Sequence, residues 1–201
     1  MILNFERLIT HIVDWIRHYT KTNGKKTLFM YDYEVYDTQL LKWLCNKTRL
    51  VVQSFPTTYS YEDMLKQADN DGIIVDPLTI DNIFMRTYNK NHFGDILPLG
   101  DLYLIEVHAL YKYLDLGDDK VSLLGARGWG PSDIEWANRQ NDICSIISSE
   151  EDPVKHRDWN WYSAKQREMV AKMHQIEKRT RHKTIYNIPV CRVRNIKGLV
   201  R

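Results

Sequence analysis

Apolar residues recur near the start of the chain at intervals of three and four: Phe5, Leu8, Ile9, Ile12, Val13, Ile16 and Tyr19. That spacing places them on one face of an amphipathic helix, and Gly24 stands where a left-handed C-terminal cap would fall. Residues 27–30 then read as a short buried strand. A polar turn follows, and after it a second helix with Leu40, Leu41 and Leu44 on one side. Residues 50–53 (LVVQ) read as a second strand, ended by Phe55 and Pro56. Ser60-Tyr61-Glu62-Asp63 has the pattern of a capping box and opens a short helix to about Ala68. Residues 72–75 (GIIV) read as a third strand, with a helix over 79–88 behind it.

Strands alternating with helices argue for parallel pairing and a sheet covered on both faces, an α/β architecture. Residues 89–100, with Gly94, Pro98 and Gly100, read as a loop. Helical spacing returns over 102–114 through Leu102, Ile105, Leu110, Tyr113 and Leu114. From 116 to 161 the periodicity is poor and glycines, aspartates and tryptophans cluster, as in a long functional loop or a region that orders against a partner. Residues 162–180 read as a long, basic, mostly polar helix, and 185–193 as a short apolar patch in the tail. There is no internal repeat and no low-complexity tract. The expected organisation is a single domain over 1–201: an α/β core to 115, an irregular region to 161, and a basic helix and tail to 201.

Composition excludes several classes. With 43% apolar and 27% charged residues the chain resembles ordinary soluble globular proteins. No apolar run approaches the roughly 18–20 residues needed to cross a bilayer. The N-terminal helix carries Glu6, Arg7, Asp14 and Arg17, which a signal peptide would not. Cys45, Cys144 and Cys191 lie far apart without a CxxC pair. They read as reduced thiols of a cytoplasmic protein, and no histidine stands at zinc-ligand spacing from them. The net charge of +2 hides an asymmetry. Residues 165–201 hold eleven Lys/Arg against two Glu, or +9, which leaves seventeen against twenty-four, or −7, for the first 164. Either a basic surface faces phosphates, nucleic acid or an acidic partner, or the tail complements the body of its own chain.

Residues 72–114, GIIVDPLTIDNIFMRTYNKNHFGDILPLGDLYLIEVHALYKYL, carry a more specific signal. They resemble the ammonia-dependent NAD synthetases. These have a Gly-Thr-x-Asn/Asp turn after a strand, a Phe-Thr-Lys-Tyr-Gly-Asp loop, and a helix start of the form Asp-Ile-x-Pro-Leu/Ile-Gly-Asp-Leu-Tyr-Lys-Thr-Glu-Val. Thr87 falls on the loop threonine. Asp95-Ile96-Leu97-Pro98-Leu99-Gly100-Asp101-Leu102-Tyr103 falls on the helix start, and Glu106-Val107 continue it. Pro131-Ser132-Asp133 is similar to a Pro-Ser/Thr-Ala-Asp segment of the family, and His182-Lys183 with Pro189 to its closing His-Lys-Arg and proline pattern. The resemblance implies a three-layer α/β/α domain with a parallel sheet, the Rossmann-like fold of the adenine nucleotide alpha hydrolases. It also implies a homodimer, and as ligands ATP, magnesium, and NAD or deamido-NAD. The family's ATP pyrophosphatase chemistry adenylates the carboxylate of deamido-NAD, and ammonia then displaces AMP.

Carried over residue by residue, the resemblance implies nucleotide contacts from Asp37, Thr38, Thr87, Asp95 and Lys183, and metal contacts from Asp37 and Asp81. The departures matter as much. Where the family has Ser-Gly-Gly-x-Asp-Ser around pyrophosphate, this chain has Tyr33-Glu34-Val35-Tyr36-Asp37-Thr38. Glycines let backbone N–H groups approach phosphates at a helix N-terminus, whereas a β-branched residue resists the conformations that glycine permits. A carboxylate at Glu34 adds like charge; two unit charges about 4 Å apart repel by about 4 kcal/mol at a surface-like dielectric. The family's phosphate lysine is Leu104 here, and its metal-binding glutamate after the third strand has only Asp81 nearby.

The residues also have plainer uses. Asp37 can cap a helix, Asp95 and Asp101 can cap the turn before one, and Thr87 can be a core-edge hydroxyl. Trp129, Trp136, Trp159 and Trp161 suit packing or an interface as well as ring stacking. Three functional readings stand: a synthetase relative without ligase chemistry that binds a nucleotide or protein partner, a working ammonia-dependent NAD synthetase with an unorthodox phosphate loop, and a nucleic-acid-binding or assembly protein using the basic tail.

Overall fold

The computed structural model describes residues 4–33, 35–85 and 94–117, and towards the C-terminus single positions between 163 and 179 together with 188–194, 196, 197 and 199. The expectations for Glu34, Thr87, Lys183, His182, Cys144, the four tryptophans from 129 to 161 and Pro131-Ser132-Asp133 lie outside the described residues.

The apolar stripe of the first segment forms α1 (Phe5–Thr22), with Leu8, Ile12 and Ile16 fully buried. Asn4 caps it by accepting the Arg7 N–H, and Gly24 just beyond adopts φ +67°, the left-handed conformation expected there. β1 (Thr27–Tyr31) is the centre of a three-stranded sheet of order β2-β1-β3, parallel throughout. β2 (Val51–Phe55) and β3 (Gly72–Ile74) flank it, so that Thr27 stands opposite both Val51 and Gly72. α2 (Tyr36–Lys47) joins β1 to β2, and α3 (Tyr61–Asp71) carries the chain past β1 to β3.

Alternation along the strands makes the layers. Leu28, Met30, Ile73 and Val75 join one core with α1, α2 and α5 (Leu104–Tyr113). Phe29 and Ile74 point the other way and pack with Met64 and Ala68 of α3. Helices on both faces of a parallel sheet give the three-layer α/β/α arrangement. α3 runs into β3 without a linker because residue 72 is glycine: a Cβ there would lie 2.0 Å from the Phe29 ring.

The structure differs from the sequence expectations at element ends. Ser60 is the N-cap of α3 but makes no side-chain cap bond, so its capping box does not form. α4 (Ile80–Met85) has six residues. The segment expected as a loop up to Gly100 carries two bridges before its closing turn, with Ile96 pairing beside Val75 and Leu97 beside Val190. These bridges draw the tail into the fold, where Cys191, Val193 and Leu199 join the main core.

Candidate functional site

The connection from β1 to β2 runs through α2 on one face, and the next runs through α3 on the other. The chain therefore reverses direction across the sheet between β1 and β3. In open parallel sheets the crevice at such a switch point, beyond the carboxyl ends of the strands, is where ligands bind. Here it is bounded by the start of α2 after β1 and by the 75–82 segment after β3.

The start of α2 is filled by side chains. Its N-cap is Val35, extended at φ −126° and ψ 147°, with no side-chain acceptor for the helix. Tyr36, 3% exposed, packs edge-on to His108 and Tyr111 with ring centroids 5.5 and 6.1 Å away. Asp37 is the second helical residue and so is not the cap. It is buried, and its Oδ1 accepts the Thr38 N–H at 2.7 Å and the Thr38 hydroxyl at 3.3 Å. An internal carboxylate thus already occupies an amide at the positive end of this helix.

After β3, Asp76 closes a turn by accepting the Leu78 N–H at 3.1 Å. Thr79, Asp81 and Asn82 follow as a buried polar group, with the Thr79 N–H and hydroxyl both donating to Asn82. The Asp81 carboxylate accepts the Leu104 N–H at 2.5 Å, so it sits at the N-terminus of α5. Burial raises its pKa to about 6, against the lowering effect of the Leu104 N–H, and the nearby charge of Glu106 raises it further.

At the same helix start, the Tyr103 N–H donates to Glu106 Oε2 at 2.7 Å, and Arg194 from the tail reaches that same oxygen. Burial raises the Glu106 pKa, opposed by the Tyr103 N–H and by Arg194. The Arg194 guanidinium also lies over the Tyr103 ring, 4.4 Å from its centroid. Asp101 does not cap a turn. Its Oδ2 accepts the N–H groups of Val193 at 2.7 Å and Arg194 at 2.9 Å, and its Oδ1 meets Arg192 at 3.4 Å. Two of the described basic residues of the tail, Arg192 and Arg194, are therefore matched to acids of its own body. Neither Glu106 nor Arg194 was singled out from sequence for this contact. Glu106 three residues after Tyr103 is a box spacing, but the tyrosine hides it because such a box normally opens with Ser or Thr.

Asp95 points elsewhere. It is exposed, its Oδ2 accepts the Ile74 N–H at 2.8 Å, and it borders a groove of about 610 Å³ with Lys25, Asp69 and Gly72 at the amino end of β1. The structure thus puts Asp37 and Thr38 at the start of α2, Asp81 at the junction of α4 and α5, and Asp95 beside a separate groove. Among the described residues no three His, Cys, Asp or Glu side chains gather to hold a metal. Nor, among these residues, is any helix long and apolar enough to cross a membrane.

No protein-family profile and no curated protein sequence matches the chain. Solved structures do. An NMN synthetase from Francisella tularensis aligns over 92% of this chain and 97% of its own, with a TM-score of 0.62 and 15% identity. An NH3-dependent NAD synthetase from Campylobacter jejuni, in complex with nitrate, aligns over 87% and 94%, with a TM-score of 0.59 and 10% identity. For the NAD+ synthetase from Burkholderia pseudomallei the values are 90%, 91%, 0.52 and 11%. The fold of the described residues is that of these NMN and NAD synthetases.

Proposed function

We propose that this protein uses the synthetase fold without ATP-dependent ligase chemistry, and acts by binding a nucleotide or a protein partner at the carboxyl end of its sheet. The carrying observation is the start of α2, where Val35 is extended and Tyr36 is packed into the core against His108 and Tyr111. A pyrophosphate cradle needs backbone N–H groups free to converge on the phosphates, and here that position is built from bulky side chains. The implied magnesium finds no better fit. Asp37 is turned onto Thr38 at the start of its own helix, and Asp81 onto the Leu104 N–H at the start of α5. Dimerisation, implied by the resemblance, belongs to the same proposal.

A second reading, an active ammonia-dependent NAD synthetase, is favoured by Asp37 and Thr38 standing together and buried in the first turn of α2. The nucleic-acid reading loses Arg194, which is held against buried Glu106. The test is AMP formation from ATP and ammonia with deamido-NAD, or with the corresponding deamido mononucleotide. It runs alongside thermal shift with ATP, AMP, NAD and deamido-NAD, with and without magnesium. The expected result is no AMP above background. AMP production that vanishes in Asp37→Ala would overturn the proposal in favour of the second reading.

A further inference from the structure

β2 is an edge of the sheet: β1 lies on one side of it, and among the described residues no strand lies on the other. The ladder fixes which backbone groups face outward. The Val51 N–H donates to Lys26 O at 3.3 Å and the Asp32 N–H to Phe55 O at 2.7 Å, so residues 51, 53 and 55 turn their N–H and C=O groups towards β1. Val52 and Ser54 therefore turn theirs away from it. Edges of this kind are usually blunted by charges, prolines or bulges. β2 has no charge and no proline, and it pairs with β1 residue for residue without a bulge. Its side chains are open as well. α3 packs over β3, β1 and the Phe55 end of β2, leaving Gln53 exposed and Val51 57% exposed.

We infer that the β2 edge is the surface by which two copies of this chain join, β2 to β2 and antiparallel, so that two three-stranded sheets become one of six strands. The inference rests on the homodimer proposed above and names its surface. A two-fold axis through Gln53 sets Val52 opposite the partner's Ser54, and the outward N–H groups of each copy meet the outward C=O groups of the other. The same register sets Val51 opposite the partner's Phe55. That ring stacks on Phe29 and Tyr59, so the exposed valine gains an aromatic neighbour, a favourable cross-strand pair. Gln53 falls opposite its own copy at a close, non-hydrogen-bonded position, where two side-chain amides can bond each other. A shift of register in one direction sets Val52 opposite Pro56, which has no N–H. A shift in the other sets Ser54 opposite Leu50, whose N–H is already held by the Thr48 hydroxyl at 3.2 Å. Charge agrees with the antiparallel order. Lys47 and Arg49 are exposed at the amino end of β2, and Glu62 and Asp63 beyond its carboxyl end, so the basic end of each copy lies towards the acidic end of the other. A foreign strand would satisfy the backbone alone; the match of backbone, side chains and charge to themselves is what selects a second copy.

Light scattering and amide hydrogen exchange on the full chain test this. Gln53→Lys sets two cations face to face across the axis and Gln53→Glu two anions. Each should raise the dimer dissociation constant by about tenfold or more, and an equimolar mixture of the two should restore the dimer. Circular dichroism checks that both variants are folded. Should either not fold, exchange in the wild type decides. Raising the concentration into the dimeric range should slow the Val52 and Ser54 amides far more than that of Gln53, whose N–H already faces β1. A wild-type dimer untouched by both substitutions, or Val52 and Ser54 amides indifferent to concentration, overturns the β2 edge and leaves the dimer standing. Two monomeric variants whose mixture stays monomeric overturn the register, and a wild-type monomer at micromolar concentration overturns the edge and the dimer together.

Discussion

Replacing Asp81 by asparagine removes a buried charge while keeping an oxygen that can accept the Leu104 N–H. Asp81 is 2% exposed, and its pKa moves from 3.8 to about 6 on folding. That is about two units, or about 3 kcal/mol at about 1.4 kcal/mol per unit. Because the folded pKa is the higher one, the folded state binds the proton more tightly than the unfolded chain does. The group's stabilising contribution is therefore full below about pH 4 and lost as pH rises through about 6. The asparagine amide does not titrate, so Asp81→Asn should gain about 1–3 kcal/mol over the wild type at pH 8 and about a third as much at pH 4.5. The lower end allows for the weaker bond from Leu104 to a neutral oxygen. Urea unfolding from pH 4.5 to 8.5 in EDTA measures this directly. A variant no more stable than wild type at pH 8, or a difference that does not shrink towards acid, would refute the reasoning. Adding magnesium separates the metal reading of Asp81: a ligand carboxylate would give the wild type, and not the variant, an added stability set by ion concentration over Kd.

Gly72→Ala should cost about 1–3 kcal/mol, because its Cβ meets the Phe29 ring at 2.0 Å and Ala68 Cα at 3.0 Å; Phe29→Leu in the same chain should restore part of the loss in urea midpoint. Arg194→Met strips the cation from buried Glu106 and should cost about 2–4 kcal/mol, less in an Arg194→Met, Glu106→Gln double variant, which a double-mutant cycle measures. Light scattering at micromolar concentration should give twice the chain mass of 23.9 kDa, for a homodimer burying well over about 1,000 Å², and a monomer mass would reject the dimer. Duplex DNA should bind negligibly at physiological salt, with charge reversal at Arg179, Arg181 and Lys183 changing little; tight binding whose log–log salt slope steepens by about −0.9 per phosphate would contradict the folded-back tail.

Much of the fold was legible in the sequence because burial and periodicity are local. The α1 stripe and the three short strands stand where the pattern put them, and so do Leu40, Leu41 and Leu44, all fully buried. Element ends were less legible. Ser60 has the residues of a capping box, yet its side chain makes no such bond. The helix expected from Leu102 starts at Leu104, because Leu102 closes a turn onto Leu99. Least legible were contacts between distant segments. That Asp101 binds residues 192–194, or that Arg194 reaches Glu106, depends on the tail pairing beside Leu97, which no local spacing reveals. For the site, sequence identified Asp37, Thr38, Asp81 and Asp95 as chemically interesting but did not tell that Asp95 borders a groove at the amino end of β1.

The block that carried the resemblance, residues 95–103, has a physical role that explains why it announces the fold rather than the chemistry. Ile96, Leu97, Leu99 and Leu102 are fully buried, and Asp95 and Asp101 are spent on backbone N–H groups of β3 and the tail. A Cβ at Gly100 would press on Leu97 and Val190 at 3.0 Å. Each of these positions is demanded by packing whether or not a nucleotide is ever bound. A phosphate cradle makes the opposite demand: glycines, open space and amides left free for a ligand, all of which cost stability when the ligand is absent. At the start of α2 this chain has Val35 in a backbone conformation that suits a β-branched residue and Tyr36 buried where it adds apolar contact. On the proposed function, bulky residues there cost phosphate binding while strengthening the fold, whereas substitution at 95–103 would weaken it. On that reading a chain can keep the fold's recognisable block without the cradle, because only the block is demanded by packing. Restoring glycine at Glu34 and Val35 together should then lower stability by about 1–2 kcal/mol. Urea unfolding measures that change, and an unchanged or raised midpoint would break the link between the filled turn and the proposed absence of ligase chemistry.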